Sequence, residues 1–158
     1  MGNKLKVEKL SEKDSAEVEW LLREVWPKAT EYPQEWRKMR RISREQIIDE
    51  MYRGFNYFAV RVNGRIVGFY KALRDGDACL GEHQTVHPAY RKRGLAKTMY
   101  EHLITFAKQI GCRRIYVNIL PSQIASVKIV KEFGFKKIKE YEQIPGMLVH
   151  LYGKEIES

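Results

Sequence analysis

The chain has 158 residues, 44% of them apolar and 31% charged, with a formal net charge of +9. That size and balance suit one globular domain over 1–158 and are too small for two; no apolar run approaches the length that spans a bilayer, and the N-terminal Met1-Gly2-Asn3-Lys4 lacks the apolar core of a secretory signal, so a cytoplasmic, membrane-free setting is expected. Cys79 and Cys112 lie far apart in sequence and form neither a disulfide framework nor a metal set, and the positive charge by itself fits nucleic acid, an anionic surface or a polyanionic small molecule alike.

From residue 4 to 10, Leu5 and Val7 alternate with Lys6 and Glu8, the pattern of a short edge strand. Ser11 can cap a helix whose apolar positions, Val18, Leu21, Leu22 and Val25, recur at helical spacing; Pro27 ends it by disfavouring helix in the residue before it. A second helical stretch is expected over about 34–52, interrupted near Ser43 and stopped by Gly54. Within it, Arg37-Lys38-x-Arg40-Arg41 is expected on a solvated face. Residues 55–62 and 65–73 are β-rich runs joined by Asn63-Gly64, a strong hairpin signal because both residues tolerate positive φ. A further turn at Arg74-Asp75-Gly76-Asp77 leads into residues 78–86, so three consecutive antiparallel strands are expected.

The next stretch, Val86-His87-Pro88-Ala89-Tyr90-Arg91-Lys92-Arg93-Gly94-Leu95-Ala96-Lys97, leaves a strand, turns through basic residues and opens a helix. Leu95, Met99, Leu103 and Ala107, with Phe106 and Ile110, give that helix one apolar face. Gly94 therefore sits at a helix N-terminus, where backbone N–H groups lack partners, the dipole is positive and glycine lets an anion come close. A nucleotide P-loop is excluded: Lys97-Thr98 supplies its ending, but Arg91 and Ala96 stand where its glycines belong.

After a Gly111 cap, residues 115–120 read as a buried strand. Pro121-Ser122 opens a helix carrying Val127, Val130 and Phe133 on one side, and Gly134 ends it. Residues 135–141 and 147–152 form a closing pair around Ile144-Pro145-Gly146. The order βααβββαβαββ is an α+β fold with one mixed sheet flanked by helices.

Arg91-x-x-Gly94-x-Ala96 after Val86-x-Pro88 resembles the [Gln/Arg]-x-x-Gly-x-[Gly/Ala] signature of the GNAT N-acetyltransferase superfamily, and Gln123-x-x-Ser126-x-x-Ile129-Val130-x-x-x-Gly134-Phe135 is similar to that family's closing motif. The resemblance extends over essentially the whole chain and implies a GNAT fold. It implies acetyl-CoA as cosubstrate, with its pyrophosphate in the turn of Arg91, Lys92, Arg93, Gly94, Leu95, Ala96 and Lys97. Pantetheine would pair with the strand end Gln84, Thr85 and Val86, and Gln123 would stand on the other wall. It further implies direct acetyl transfer to a primary amine, whether a protein N-terminus, a lysine or a small molecule. The alternative is a GNAT-fold module that binds CoA or nucleic acid with little activity. Specific duplex binding is not expected from three basic residues, and a homodimer is one assembly open to such a domain.

Acetyl transfer needs a neutral amine, a polarised carbonyl and a proton for the leaving thiolate. The family's usual tyrosine acid falls at Val130, and the glutamate base of some relatives falls at Asn118. Glu82 is then the first base candidate, since strand alternation puts it on the face of Gln84 and Val86. Ser126 is the candidate to assist the thiolate. Four residues of strand separate His83 from His87 by roughly 13 Å, and Glu82-His83 is not a zinc motif, so no metal is expected. Acceptor specificity is expected from the aromatic N-terminal region, Trp20, Trp26, Tyr32 and Trp36, and from Tyr141 and Glu142 near the closing turn.

Overall fold

The structure is a computed structural model and describes residues 5–157. The expected strand start at Lys4, the reading of Met1-Gly2-Asn3-Lys4 and the outermost domain limits lie outside the described residues. Seven strands are present among them: β1 (Val7–Lys9), β2 (Asn56–Val62), β3 (Arg65–Asp75), β4 (Ala78–Val86), β5 (Arg114–Ile119), β6 (Lys136–Ile144) and β7 (Met147–Glu155). Five α-helices accompany them: α1 (Ser15–Val25), α2 (Gln34–Met39), α3 (Arg44–Tyr52), α4 (Leu95–Gln109) and α5 (Ile124–Glu132). The strands form one sheet in the order β1-β2-β3-β4-β5-β7-β6, and it is mixed, as expected from the sequence. No described helix is long and apolar enough to cross a membrane.

The chain resolves into two compact units. One holds the residues up to Lys71 with His83–Met99; the other holds Ala72–Glu82 with the residues from Tyr100 onward. In the first unit, β1 pairs antiparallel with β2, and Val18, Leu21, Leu22 and Val25 are buried as the helical spacing of α1 requires. Asn63 and Gly64 take φ of 52° and 78°, so the hairpin between β2 and β3 closes as its two residues predict.

The expected helix over 34–52 is two helices. Ser43 takes an extended conformation and caps α3: its hydroxyl accepts from the Gln46 N–H at 3.2 Å while Gln46 Oε1 accepts from the Ser43 N–H at 2.8 Å. The interruption falls at Ser43 as expected, whereas the basic run ahead of it departs from expectation. Lys38 and Arg41 are exposed, but Arg40 is 5% exposed, with its guanidinium 3.4 Å from the Trp36 ring centre and 5.4 Å from that of Trp26. A planar, weakly hydrated cation lies well on indole faces, which explains why this one arginine leaves the solvent.

In the second unit, β4 runs parallel to β5, with Ala78 opposite Arg114 and Gly81 opposite Val117, while β7 is antiparallel to both β5 and β6. Gly81 is there for closeness: a Cβ would stand 2.5 Å from Leu103 Cδ2 and 3.3 Å from Val117 Cγ1. Gly81→Val is expected to lower stability by about 1–3 kcal/mol through overpacking, measured by denaturant unfolding; an unchanged midpoint would show that the α4–β4 spacing yields freely. β6 lies at the outer edge of the sheet, with Lys136, Lys137 and Lys139 exposed along it.

Candidate active site

β4 carries the chain into the basic turn. The His87 N–H donates to the Val67 carbonyl at 2.8 Å, tying the strand end to β3, and Pro88–Tyr90 form one turn of 3₁₀-helix. His87 Nδ1 accepts the Ala89 N–H at 3.1 Å, so this imidazole holds the start of the turn. Its ring lies parallel to that of Trp20 at 6.4 Å and edge-on to that of Tyr90 at 5.9 Å. Lys92 and Gly94 then take positive φ, 63° and 80°, which reverses the chain into α4. The first α-helical bond runs from the Thr98 N–H to the Gly94 carbonyl at 3.0 Å. Ahead of it, the N–H groups of Leu95, Ala96 and Lys97 have no intrahelical acceptor.

Arg91, Lys92, Arg93 and Gly94 are exposed, and a Cβ on Gly94 would meet nothing within 4 Å, so the space over this helix start is open. A polyanion there would meet fixed N–H donors, a positive dipole end and three side-chain cations. Leu95 differs from its neighbours. Its side chain is buried and would lie 3.3 Å from a Cβ built on Gly68, so only its backbone is available to a ligand.

Within β4, His83 has φ of 58°, a left-handed conformation that histidine tolerates better than most residues. Thr85 is 2% exposed with its hydroxyl engaged: it accepts the Trp26 Nε1–H at 3.0 Å and donates to the His83 carbonyl at 2.8 Å. Any contact of Thr85 with a cosubstrate therefore falls to its backbone. By contrast, both amide atoms of Gln84 and the Nδ1 of His83 are buried without a hydrogen-bond partner.

Burial, reinforced by the positive charges of Arg40 and Lys71, holds the His83 imidazolium well below the usual histidine range. Lys71 is itself paired with Glu50 at 2.8 Å, and the Tyr57 hydroxyl donates to the same carboxylate at 2.5 Å. The sign follows from proton counts. Below pH 6.5 the unfolded chain binds a proton at this histidine and the folded one does not, so its contribution to stability falls as pH falls, by up to about 1.4 kcal/mol per pH unit. Replacement by asparagine, which accepts the same φ, is expected to flatten that acid limb in unfolding titrations; an unaltered limb would assign it to other groups.

In the second unit, Asn118 accepts a hydrogen bond from the Tyr141 hydroxyl at 2.8 Å. Burial raises the Tyr141 phenol, and the Glu82 charge adds to it while the bond to Asn118 opposes it, so this tyrosine stays a donor. Tyr141 thus stands within the electrostatic reach of the candidate base and is tied to the position where some GNAT relatives carry their glutamate. The sequence suggested it only as an acceptor contact. Gln123 is the N-cap residue of α5, with its Oε1 accepting the Leu120 N–H at 2.9 Å, so its carbonyl oxygen is committed to the β5–α5 loop. Ser126 is half-buried one turn before Val130, which is fully buried: a core side chain fills the position of the family tyrosine. Burial pushes the Cys79 thiol up to about 12, which leaves it an apolar filler and no nucleophile. No group of three or more metal-binding side chains is found among the described residues.

The family model described as the acetyltransferase (GNAT) family matches residues 16–135. Among solved structures, a GNAT-family acetyltransferase from Streptococcus pneumoniae superposes with a TM-score of 0.81 at 18% identity, over 98% of this chain and 100% of that one. YncA from Salmonella typhimurium, solved with acetyl-CoA, gives 0.79 at 16% over 98% and 95%. A ribosomal-protein-alanine N-acetyltransferase from Brucella melitensis gives 0.80 at 16% over 96% and 100%.

Proposed function

Because this chain belongs to the GNAT acetyltransferase family, matching its family model over residues 16–135, we propose that it transfers the acetyl group of acetyl-CoA to a primary amine within a single domain. The observation that carries this reading is the helix start at Gly94: an open, positive-φ glycine, backbone N–H groups without intrahelical acceptors, and Arg91, Lys92 and Arg93 exposed beside it. These groups fit a pyrophosphate. Acetyl-CoA supplies an activated thioester when bound; this chain's residues bind it, orient it and handle the protons.

Backbone N–H groups of Gln84, Thr85 and Val86 would align the pantetheine arm and polarise the acetyl carbonyl, and Gln123 would contribute a further contact to the cosubstrate. The amine nitrogen bonds to the carbonyl carbon as the carbon–sulfur bond breaks. Glu82 would take the amine proton, directly or through water, while Ser126 or water would supply one to the departing thiolate. YncA, whose structure contains acetyl-CoA, supports the cosubstrate, and the ribosomal-protein-alanine N-acetyltransferase supports an amine acceptor.

Acetyl-CoA consumption against a panel of amines and peptides tests the reading: thiol release that depends on an acceptor supports it. Tight CoA binding with no acceptor-dependent release would favour a binding module, an outcome to which Val130 and Asn118 lend weight. Submicromolar duplex binding with a steep salt dependence at physiological salt would assign the basic turn to nucleic acid instead.

A further inference from the structure

Nothing in the proposed reaction uses a groove of about 470 Å³ that lies wholly within the second unit, across β5, β7 and β6. Three residues stand in a row over those strands, with Tyr116 opposite Gly153 and Gly153 opposite Lys136. The glycine shapes the floor. A Cβ on Gly153 would stand 3.1 Å from Tyr116 Cε1 and 3.1 Å from Ile138 Cγ1, so bare backbone at this position lets the two side chains close in over it. Ile138 falls at a register shift of β6, between Lys137 and Lys139, and its side chain is 56% exposed. An apolar side chain and a half-buried phenol ring thus share one open space.

The same space is cationic. Arg114, Lys136 and Lys154 line it against a single carboxylate, Glu155, an excess of two positive charges. Arg114 lies 3.7 Å from Asp77 and 4.0 Å from Glu155, but these side chains are largely exposed and such pairs are weak, so the guanidinium stays available. Among the described residues no carboxylate lies within 4.0 Å of the ammonium of Lys136 or Lys154. Lys154 Nζ stands 3.1 Å from where a Cβ of Gly134 would be, which places this ammonium at the end of the groove that Gly134 lines.

We propose that this groove is a binding site for an aromatic phosphomonoester, a flat ring joined to a terminal phosphate, such as a nucleoside monophosphate.

Charge and shape select that class together. A phosphate monoester carries about −1.5 to −2 at pH 7, which matches the excess of two positive charges, whereas a carboxylate brings only one negative charge. Its oxygens accept charge-assisted hydrogen bonds from ammonium and guanidinium groups alike. The ring of the ligand covers Tyr116 and Ile138, where aromatic stacking adds to the apolar area removed from water. The volume lies within the range of small-molecule sites. A nucleic-acid strand needs a longer basic track, and an acidic peptide offers Tyr116 no flat ring.

The test is calorimetric titration of the full chain with AMP while CoA is saturating, so that the proposed cosubstrate turn is already filled. AMP is expected to bind about tenfold or more tightly than adenosine or inorganic phosphate. Replacing Lys136 and Lys154 together by glutamine should weaken AMP by about tenfold or more and leave CoA affinity unchanged. Tyr116→Leu should weaken AMP in the same way. A further readout needs no variant: the ¹⁵N amide resonance of Gly153 should move with AMP and stay still with adenosine. No binding of AMP at millimolar concentration, an AMP affinity that neither variant changes, adenosine or phosphate binding as well as AMP, or a Gly153 resonance that AMP leaves in place would each overturn the site. Self-association of the chain that the lysine variant abolishes, with no AMP bound, would give this surface to a second copy instead. Failure to bind CoA counts against the acetyltransferase reading alone, and the AMP titration with its variants still decides the groove.

Discussion

Gly94→Glu is expected to lower CoA affinity by more than about 100-fold in a protein that remains folded. Two effects combine at this one position. The φ of 80° suits glycine, and any L-residue there pays roughly 1–2 kcal/mol of local strain. A carboxylate at the start of α4 also sits against the pyrophosphate and occupies the N–H groups that would hold it. Gly94→Ala separates the two, since it keeps the strain and adds no charge; a Cβ there meets nothing within 4 Å, so its loss should be the smaller. Calorimetric CoA titration beside thermal unfolding of the apo protein reads both. Unchanged affinity in a folded Gly94→Glu protein would remove the turn from the cosubstrate site.

Glu82→Gln is expected to lower turnover by roughly 10²- to 10⁴-fold with CoA binding intact. An alkylamine has a pKa near 10.4, so at neutral pH only about one molecule in 2,500 carries the lone pair that attacks. Glutamine keeps the shape of the side chain and cannot take the proton. The acidic limb of the rate profile should disappear with the carboxylate. Nearly full turnover with the same profile would show that water alone is the base, and the fold and cosubstrate turn would stand without Glu82.

The parts of this molecule legible in its sequence are those decided by neighbours in the chain. Asn63-Gly64 closes a hairpin because two adjacent residues accept positive φ; Gly94 starts α4 for the same local reason; and Leu95, Met99, Leu103 and Ala107 are buried because a helix repeats every 3.6 residues. What escaped were features settled by distant partners. Arg40 reads as one charge in a basic run, and only the indoles of Trp26 and Trp36 account for its burial. The bond between Tyr141 and Asn118 spans 23 positions and two strands, so no local pattern announces it. The left-handed φ of His83 also escapes a count by twos, which assumes extended backbone at every position of a strand. That residue lies in β4, just ahead of the basic turn.

The lysines along β6 bear on how this protein behaves in a crowded solution. An outermost strand offers unpaired backbone groups to any other strand, and a long bare edge invites chains to add to one another without limit. Lys136, Lys137 and Lys139 stand exposed on that edge together with Glu140 and Glu142, Lys137 being paired to Glu140, so a strand adding to β6 must first strip water from a row of charges. Replacing those charged side chains by apolar ones removes that cost. The rim of the sheet thus carries a guard against fibrous self-assembly.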